Sequence, residues 1–139
     1  MLSILVIDDN RQLQIAFKKI LNSAGYHIRL ASDGEEGLRM AQETIPDIIV
    51  LDMLLPKLGG VEVLRALKAD PATERIPVIA LSGLPRTNER ALMREGAVSY
   101  LEKARLDESG VLLQAIDYAL LLPRHDEFRE ESFLPNMST

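Results

Sequence analysis

The sequence predicts an α/β fold built on a doubly wound parallel sheet, and three observations lead there. Short β-branched runs alternate along the chain with longer segments of helical period, the pattern of successive βα units. The runs are apolar at nearly every position, as in ILVI at 4–7 and DIIVL at 47–51, and strands read that way when helices cover both faces of a sheet. Glycine, proline or a capping residue stands at most junctions, where each terminates or starts an element for its own backbone reason.

Leu2–Ile7 is the first strand. Asn10 can accept the free N–H groups at the start of a helix, whose Leu13, Phe17, Ile20, Leu21 and Ala24 fall on one 3.6-period stripe; Gly25 stops it. Tyr26–Ala31 is the second strand. Asp33 starts the next helix with Glu36 in capping-box position, and Pro46 ends that unit. Asp47–Leu51 is the third strand. Gly59 and Gly60 precede a helix carrying Val61, Leu64 and Leu67, and Pro71 follows its end. Ile76–Leu81 is the fourth strand, Thr87–Arg94 a short polar helix closed by Gly96, and Val98–Leu101 a short fifth strand. Asp107 caps the last helix, whose apolar face is Leu112, Ala115, Ile116, Ala119 and Leu120; Pro123 ends it.

Right-handed crossovers limit five such units to a doubly wound (βα)5 sandwich. The flavodoxin-like order 2-1-3-4-5 puts the switch point between strands one and three, and in such sheets the site lies at the carboxyl ends of the strands. Residues 1–122 make one domain. Residues 123–139 are charged, with Phe128, Phe133 and Leu134 as their large apolar groups, and are expected to be a mobile tail or linker stub; the sharper alternative is an amphipathic segment that docks on a partner.

The chain has 139 residues, a net charge of −5 and no cysteine. That length suits one domain with its own core. The acidic balance argues against direct nucleic-acid binding, which usually needs a basic face. Absence of cysteine excludes disulfides and thiolate-held metals and suits a reducing compartment. No apolar run approaches the roughly twenty residues of a membrane span. The expectation is a soluble, cytoplasmic protein.

Reading only the strand ends gives a short list: Asp8 and Asp9 after strand one, Asp52 after strand three, Ser82 after strand four and Lys103 just past strand five. The fold brings these ends to one edge. Clustered carboxylates repel and raise each other's pKa. A hard dication relieves the repulsion, and oxygen-only ligands select Mg²⁺ or Mn²⁺. Asp8 and Asp9 can supply ligands, one of them through water. Asp52 can then act as a nucleophile toward phosphorus, with the metal and Lys103 spreading the charge of the transferring group. Ser82 can hydrogen-bond a phosphoryl oxygen afterward, and Tyr100, three residues before Lys103, is placed to respond when Ser82 moves.

Each residue alone has a plainer role. Asp9 or Asn10 can cap a helix, Asp52 can form a turn, Ser82-Gly83 can be a loop signal, Lys103 can be a solvated surface lysine, and Tyr100 can be an ordinary strand aromatic. Together they are harder to dismiss. If each type occupies a position with a frequency of about 6%, the set falls on these strand ends by chance on the order of once in ten thousand, even allowing a few residues of slack.

At residues 2 to about 121 the chain resembles the receiver domain of two-component response regulators. The resemblance rests on ILVIDDN (4–10), DIIVLDMLLPKLGGVEVLRALK (47–68), PVIALSG (77–83) and GAVSYLEKA (96–104). It implies that Asp8 and Asp9 are the Mg²⁺-holding acidic pair and Asp52 the phosphoacceptor. It implies a further metal ligand in the backbone carbonyl of Leu54, a switch hydroxyl in Ser82, a switch aromatic in Tyr100 and a phosphate-pairing lysine in Lys103. It also implies a phosphohistidine donor on a histidine kinase or phosphotransfer protein. A downstream protein partner would bind the face of helix four, strand five and helix five, through which this family often dimerises. Such a receiver is not an enzyme beyond catalysing its own phosphorylation and dephosphorylation.

The sequence departs from the family's pattern in two places. The family usually has Lys-Pro with a cis bond, whereas Ala104 follows Lys103 here. A cis bond before a residue other than proline costs about 2.5–4 kcal/mol, so the sequence leaves open a strained cis bond or a trans bond with Lys103 set differently. Leu54 and Leu84 stand where family members often carry polar groups, and are expected to hinder the water that hydrolyses the acyl phosphate. Of the competing readings, a receiver-like interaction module that is never phosphorylated would lack an acceptor, a metal acid or the lysine, and none is missing. An aspartate-nucleophile phosphatase would carry Asp-x-Asp, and a flavodoxin a Ser/Thr/Gly-rich loop, where this chain has Asp8-Asp9-Asn10-Arg11.

Overall fold

The computed structural model describes residues 1–83, 89–108 and 110–122. Among them the elements run β1 (Ser3–Ile7), α1 (Arg11–Ser23), β2 (His27–Ala31), α2 (Gly34–Thr44), β3 (Ile48–Asp52), α3 (Gly60–Ala69), β4 (Val78–Ser82), α4 (Glu89–Arg94), β5 (Ser99–Glu102) and α5 (Val111–Leu121). The strands form one parallel sheet in the order β2-β1-β3-β4-β5, the predicted doubly wound arrangement.

Alternation along each strand divides the core in two. Leu5 and Ile7, Ile49 and Leu51, Val78 and Ala80 face Ala41 of α2, Val63, Leu64 and Leu67 of α3, and Leu92 of α4. Ile4 and Val6, Ile48 and Val50, Ile79 and Leu81 face Phe17 and Leu21 of α1 and Leu112, Ala115, Ile116 and Ala119 of α5. Successive strand residues point to opposite faces, so an unbroken apolar run fills both half-cores. Fully burying one such aliphatic side chain stabilises the fold by about 1.5–3 kcal/mol.

The caps explain where two helices begin. Asn10 accepts the Leu13 N–H at 3.0 Å. Asp33 accepts the Glu36 N–H at 2.8 Å, and Glu36 reaches back to accept the Ser32 N–H at 2.8 Å, one residue before the N–H that a reciprocal box uses. Past α1, Gly25 adopts φ +94°, the left-handed conformation that ends helices at low cost.

Several boundaries and contacts differ from the sequence reading. β3 and β4 each extend one residue further, through Asp52 and Ser82, because their ladders continue to pair there. On α1 the buried residues are Gln14, Phe17 and Leu21, while Ile20 is 39% exposed and Ala24 lies at the surface. The predicted stripe was thus rotated toward solvent. Asp107 does not cap α5; Gly110, at φ +80°, is the residue before the helix, and no side chain among the described residues caps it. The reason is local: a 3₁₀ turn at Lys103–Arg105 leads into further tight turns, with N–H groups of Leu106, Glu108 and Val111 each reaching back three residues. The expected start of the fourth helix at Thr87, the residue Leu84, and everything from Pro123 onward lie outside the described residues.

Candidate functional site

Register sets up the site. Ile7 pairs with Leu51 and Asp52 with Leu81, so Asp8 and Asp52 sit on neighbouring strands at one sheet edge. Ser82 pairs with Glu102, and Lys103 follows one step beyond. One oxygen from each of Asp8, Asp9 and Asp52 lies within 4.8 Å of the others. Asp8 and Asp52 are 0% and 1% exposed; Asp9 is at the surface.

Lys103 Nζ lies 3.1 Å from Asp8 Oδ2 and 3.0 Å from Asp52 Oδ2. The Lys103–Ala104 bond is trans, since the described residues contain no cis peptide, and the lysine reaches the pocket all the same. The 3₁₀ turn that begins at Lys103 brings the chain across the strand ends without a cis bond. The alternative in which a trans bond turns Lys103 away is therefore not what the chain adopts.

The remaining carboxylate oxygens are held by backbone. Asp8 Oδ1 accepts the Asn10 N–H at 2.8 Å, and Asp52 Oδ1 accepts the Leu54 N–H at 3.1 Å. Among the described residues Asp8 Oδ2 is buried without a hydrogen bond; Lys103 lies at ion-pair distance from it. Burial pushes the Asp52 carboxyl above its usual range, although the Leu54 N–H and Lys103 pull it down, and the charge of Asp8 adds to the rise. Burial disfavours the charge on Lys103, but the hydrogen bond to Asp52 and the negative charges of Asp52 and Asp8 outweigh it and raise its pKa.

An all-oxygen donor set in which the buried Asp8 Oδ2 has an ion pair but no hydrogen bond fits a hard divalent cation. One ammonium against three carboxylates leaves negative charge for that cation to balance.

Ser82 closes β4 at the same edge, half-buried. Tyr100 is half-buried and packs against the half-core under α2, α3 and α4; its register partner is Ala80, two residues before Ser82. Leu54 stands at the rim, 66% exposed. Sequence reasoning missed Gln14, whose amide is buried beside Asp8. Its signal was its place on α1, in step with Phe17 and Leu21.

The family model for the response regulator receiver domain matches residues 4–117. A gliding motility regulatory protein of Myxococcus xanthus is 39% identical over 118 residues, which cover 84% of this chain and 15% of that protein; the chain thus spans a small part of that relative's length. The chemotaxis protein CheY4 of Vibrio cholerae has a similar structure, with a TM-score of 0.79 at 26% identity over 86% of this chain and 99% of that one. The receiver domain of sensor histidine kinase PA1611 of Pseudomonas aeruginosa, with a TM-score of 0.72 and 30% identity over 83% of this chain and 93% of that one, was solved with a magnesium ion coordinated in its active-site cleft. With the acidic edge on the doubly wound sheet and the family match over most of its length, the chain belongs to the response regulator receiver domains of two-component signalling.

Proposed function

We propose that this receiver takes a phosphoryl group onto Asp52 from a phosphohistidine, in a reaction that needs a divalent cation. The observation that carries this reading is the bridge from Lys103 Nζ to Asp52 and Asp8, two buried carboxylates on adjacent strands. Lys103 holds the nucleophile and stands ready to pair with phosphoryl oxygens that arrive there. An Asp52 oxygen forms the new bond to phosphorus while the P–N bond to imidazole breaks and its electron pair returns to the ring.

Asp8, Asp9, Asp52 and the Leu54 carbonyl would hold Mg²⁺ or Mn²⁺. When bound, the cation neutralises charge on the phosphoryl oxygens. Ser82 bonds the phosphoryl group once it is in place, and Tyr100 follows the change toward the partner-binding face of α4, β5 and α5. The donor is a histidine kinase or phosphotransfer protein; the output is a downstream protein or a second copy on that face. The chain catalyses only its own phosphorylation and dephosphorylation, in the cytoplasm. The likeness to a kinase's receiver domain supports this partner class.

Intact mass spectrometry after incubation with a small-molecule phosphoryl donor tests the reading, with and without Mg²⁺, on wild type and Asp52→Ala. One added phosphoryl group that requires both Mg²⁺ and Asp52 is expected. Labelling that persists in Asp52→Ala, or no labelling of wild type with Mg²⁺, overturns it.

A further inference from the structure

Gln14 lies in the first turns of α1 and is 7% exposed, at the start of the buried row that Phe17 and Leu21 continue. A buried amide is costly unless it is bonded. Its Nε2 donates to the Asp8 carbonyl at 2.6 Å and to Ser32 Oγ at 3.1 Å, with the Ala31 carbonyl further off at 3.4 Å. The nitrogen has two hydrogens, and the two short bonds use both.

The Asp8 carbonyl shares a planar peptide with the Asp9 N–H. Holding that oxygen restrains the plane, and with it the position of the Asp9 Cα from which the side chain leaves the backbone. Asp8 itself is buried and held through Asn10 and Lys103. Asp9 is exposed, so packing does not aim it and the backbone must.

The other end of the amide rests on the β2–α2 turn. That turn is in contact with the β3–α3 connection: the Gly34 N–H reaches the Pro56 carbonyl at 3.5 Å, and Lys57 pairs with Asp33 at 3.5 Å. A methyl group at Gly34 would overlap the Leu58 carbonyl oxygen. The turn contributes no residue to the acidic cluster, yet it touches the connection that follows Asp52 and, through Gln14, the one that carries Asp8 and Asp9.

We propose that Gln14 is a positioning residue for the divalent-cation site, aiming Asp9 through the Asp8–Asp9 peptide and tying the β1–α1 connection to the β2–α2 turn. The role rests on the reading of Asp8, Asp9 and Asp52 as the cation-holding acids. It acts on binding, before any phosphoryl transfer.

The test is a titration of the metal-free full chain with Mn²⁺, following the paramagnetic resonance signal of the free ion, with thermal melting of each variant recorded without metal. Gln14→Met keeps the length of the side chain and removes the donor. The expected result is a melting point close to wild type and Mn²⁺ binding weaker by about tenfold, the usual scale for losing a group that orients a ligand. Affinity within about twofold of wild type in a folded Gln14→Met overturns the role. If Gln14→Met does not fold, Ser32→Ala decides: severalfold weaker binding supports the role and unchanged binding overturns it. Asp9→Asn separates the two levels. If wild type takes up no Mn²⁺, or Asp9→Asn binds as well as wild type, the reading of the acidic cluster fails and the role of Gln14 with it. If Asp9→Asn weakens binding and Gln14→Met does not, only the role of Gln14 falls.

Discussion

In the proposed reaction, the lifetime of the acyl phosphate on Asp52 would depend on how readily a water can line up with phosphorus, and Leu54 is placed to bear on that. Its backbone N–H is bonded to Asp52 Oδ1 at 3.1 Å, while its side chain is 66% exposed at the rim. A leucine there can neither donate to nor accept from an attacking water, and it displaces solvent that would otherwise collect at the mouth. An amide in its place can orient that water. Leu54→Asn is therefore expected to shorten the half-life of the phosphorylated protein severalfold, read by intact mass after the donor is removed, with the extent of labelling at early times unchanged. Equal half-lives in the two proteins would refute the shielding role. Leu84, expected to act alongside, lies outside the described residues.

Lys68 ties three elements together. It sits near the end of α3, and its Nζ donates to the carbonyls of Glu74 and Ile76, at 3.0 and 2.9 Å, on the way into β4. Its stem lies against Gly96, which turns the chain from α4 toward β5 at φ +115°; a side chain there would crowd the lysine as well as strain the backbone. Burial lowers the Lys68 pKa from 10.5 to about 8, with Glu74 opposing. A depressed folded-state pKa means that the unfolded chain holds this proton more tightly, so the contribution to stability is complete above pH 10.5 and declines as pH falls through about 8. Lys68→Met keeps most of the stem and does not titrate. Melting temperatures of both proteins across that range should show wild type gaining on the variant as pH rises from 7 to 10, by an amount not shared by other groups. A difference that stays flat with pH would mean that the charge on Lys68 is not held at a cost in the fold.

The elements also show how far the sequence could be read. The strands were legible because burial on both faces leaves little room for polar residues, and Ile48–Leu51 carries that signature without a break. The acids and the lysine were legible because strand ends are fixed once strands are, and Asp8, Asp52 and Lys103 do meet. Gln14 was not, because a buried amide looks like a surface residue until its acceptors are known. The α5 start was misplaced because Asp107 has the chemistry of a cap, whereas a glycine with positive φ, Gly110, makes the actual turn. The geometry of Lys103–Ala104 depends on a 3₁₀ turn that no residue pattern there announces.

At the scale of the whole molecule, the acidic edge lies between two half-cores that hold β1, β3 and β4 from both sides. The strands cannot part to relieve repulsion among Asp8, Asp9 and Asp52 without opening those cores. Lys103 offsets part of that repulsion in the absence of a cation. Unfolding separates the carboxylates, so a divalent ion that needs all of them together binds the native state and not the unfolded chain. Such a ligand stabilises by about 2.7 kcal/mol at a hundredfold excess over its dissociation constant. For a domain near this size that corresponds to a rise in melting temperature of roughly 10 °C. Saturating Mg²⁺ is expected to produce a shift on this scale in wild type, and Asp9→Asn or Asp52→Asn should lose most of it. Arg65→Ala supplies the control, because the Arg65–Glu95 pair joins α3 to the turn after α4 with the Arg65 side chain 62% exposed, and neither residue belongs to the acidic cluster. Its loss should lower the metal-free melting point slightly, in keeping with the modest worth of surface ion pairs, and leave the Mg²⁺ shift intact. A shift that survives in both aspartate variants would mean that Mg²⁺ stabilises the protein from somewhere other than this edge, and the cation site would have to be sought elsewhere on the surface.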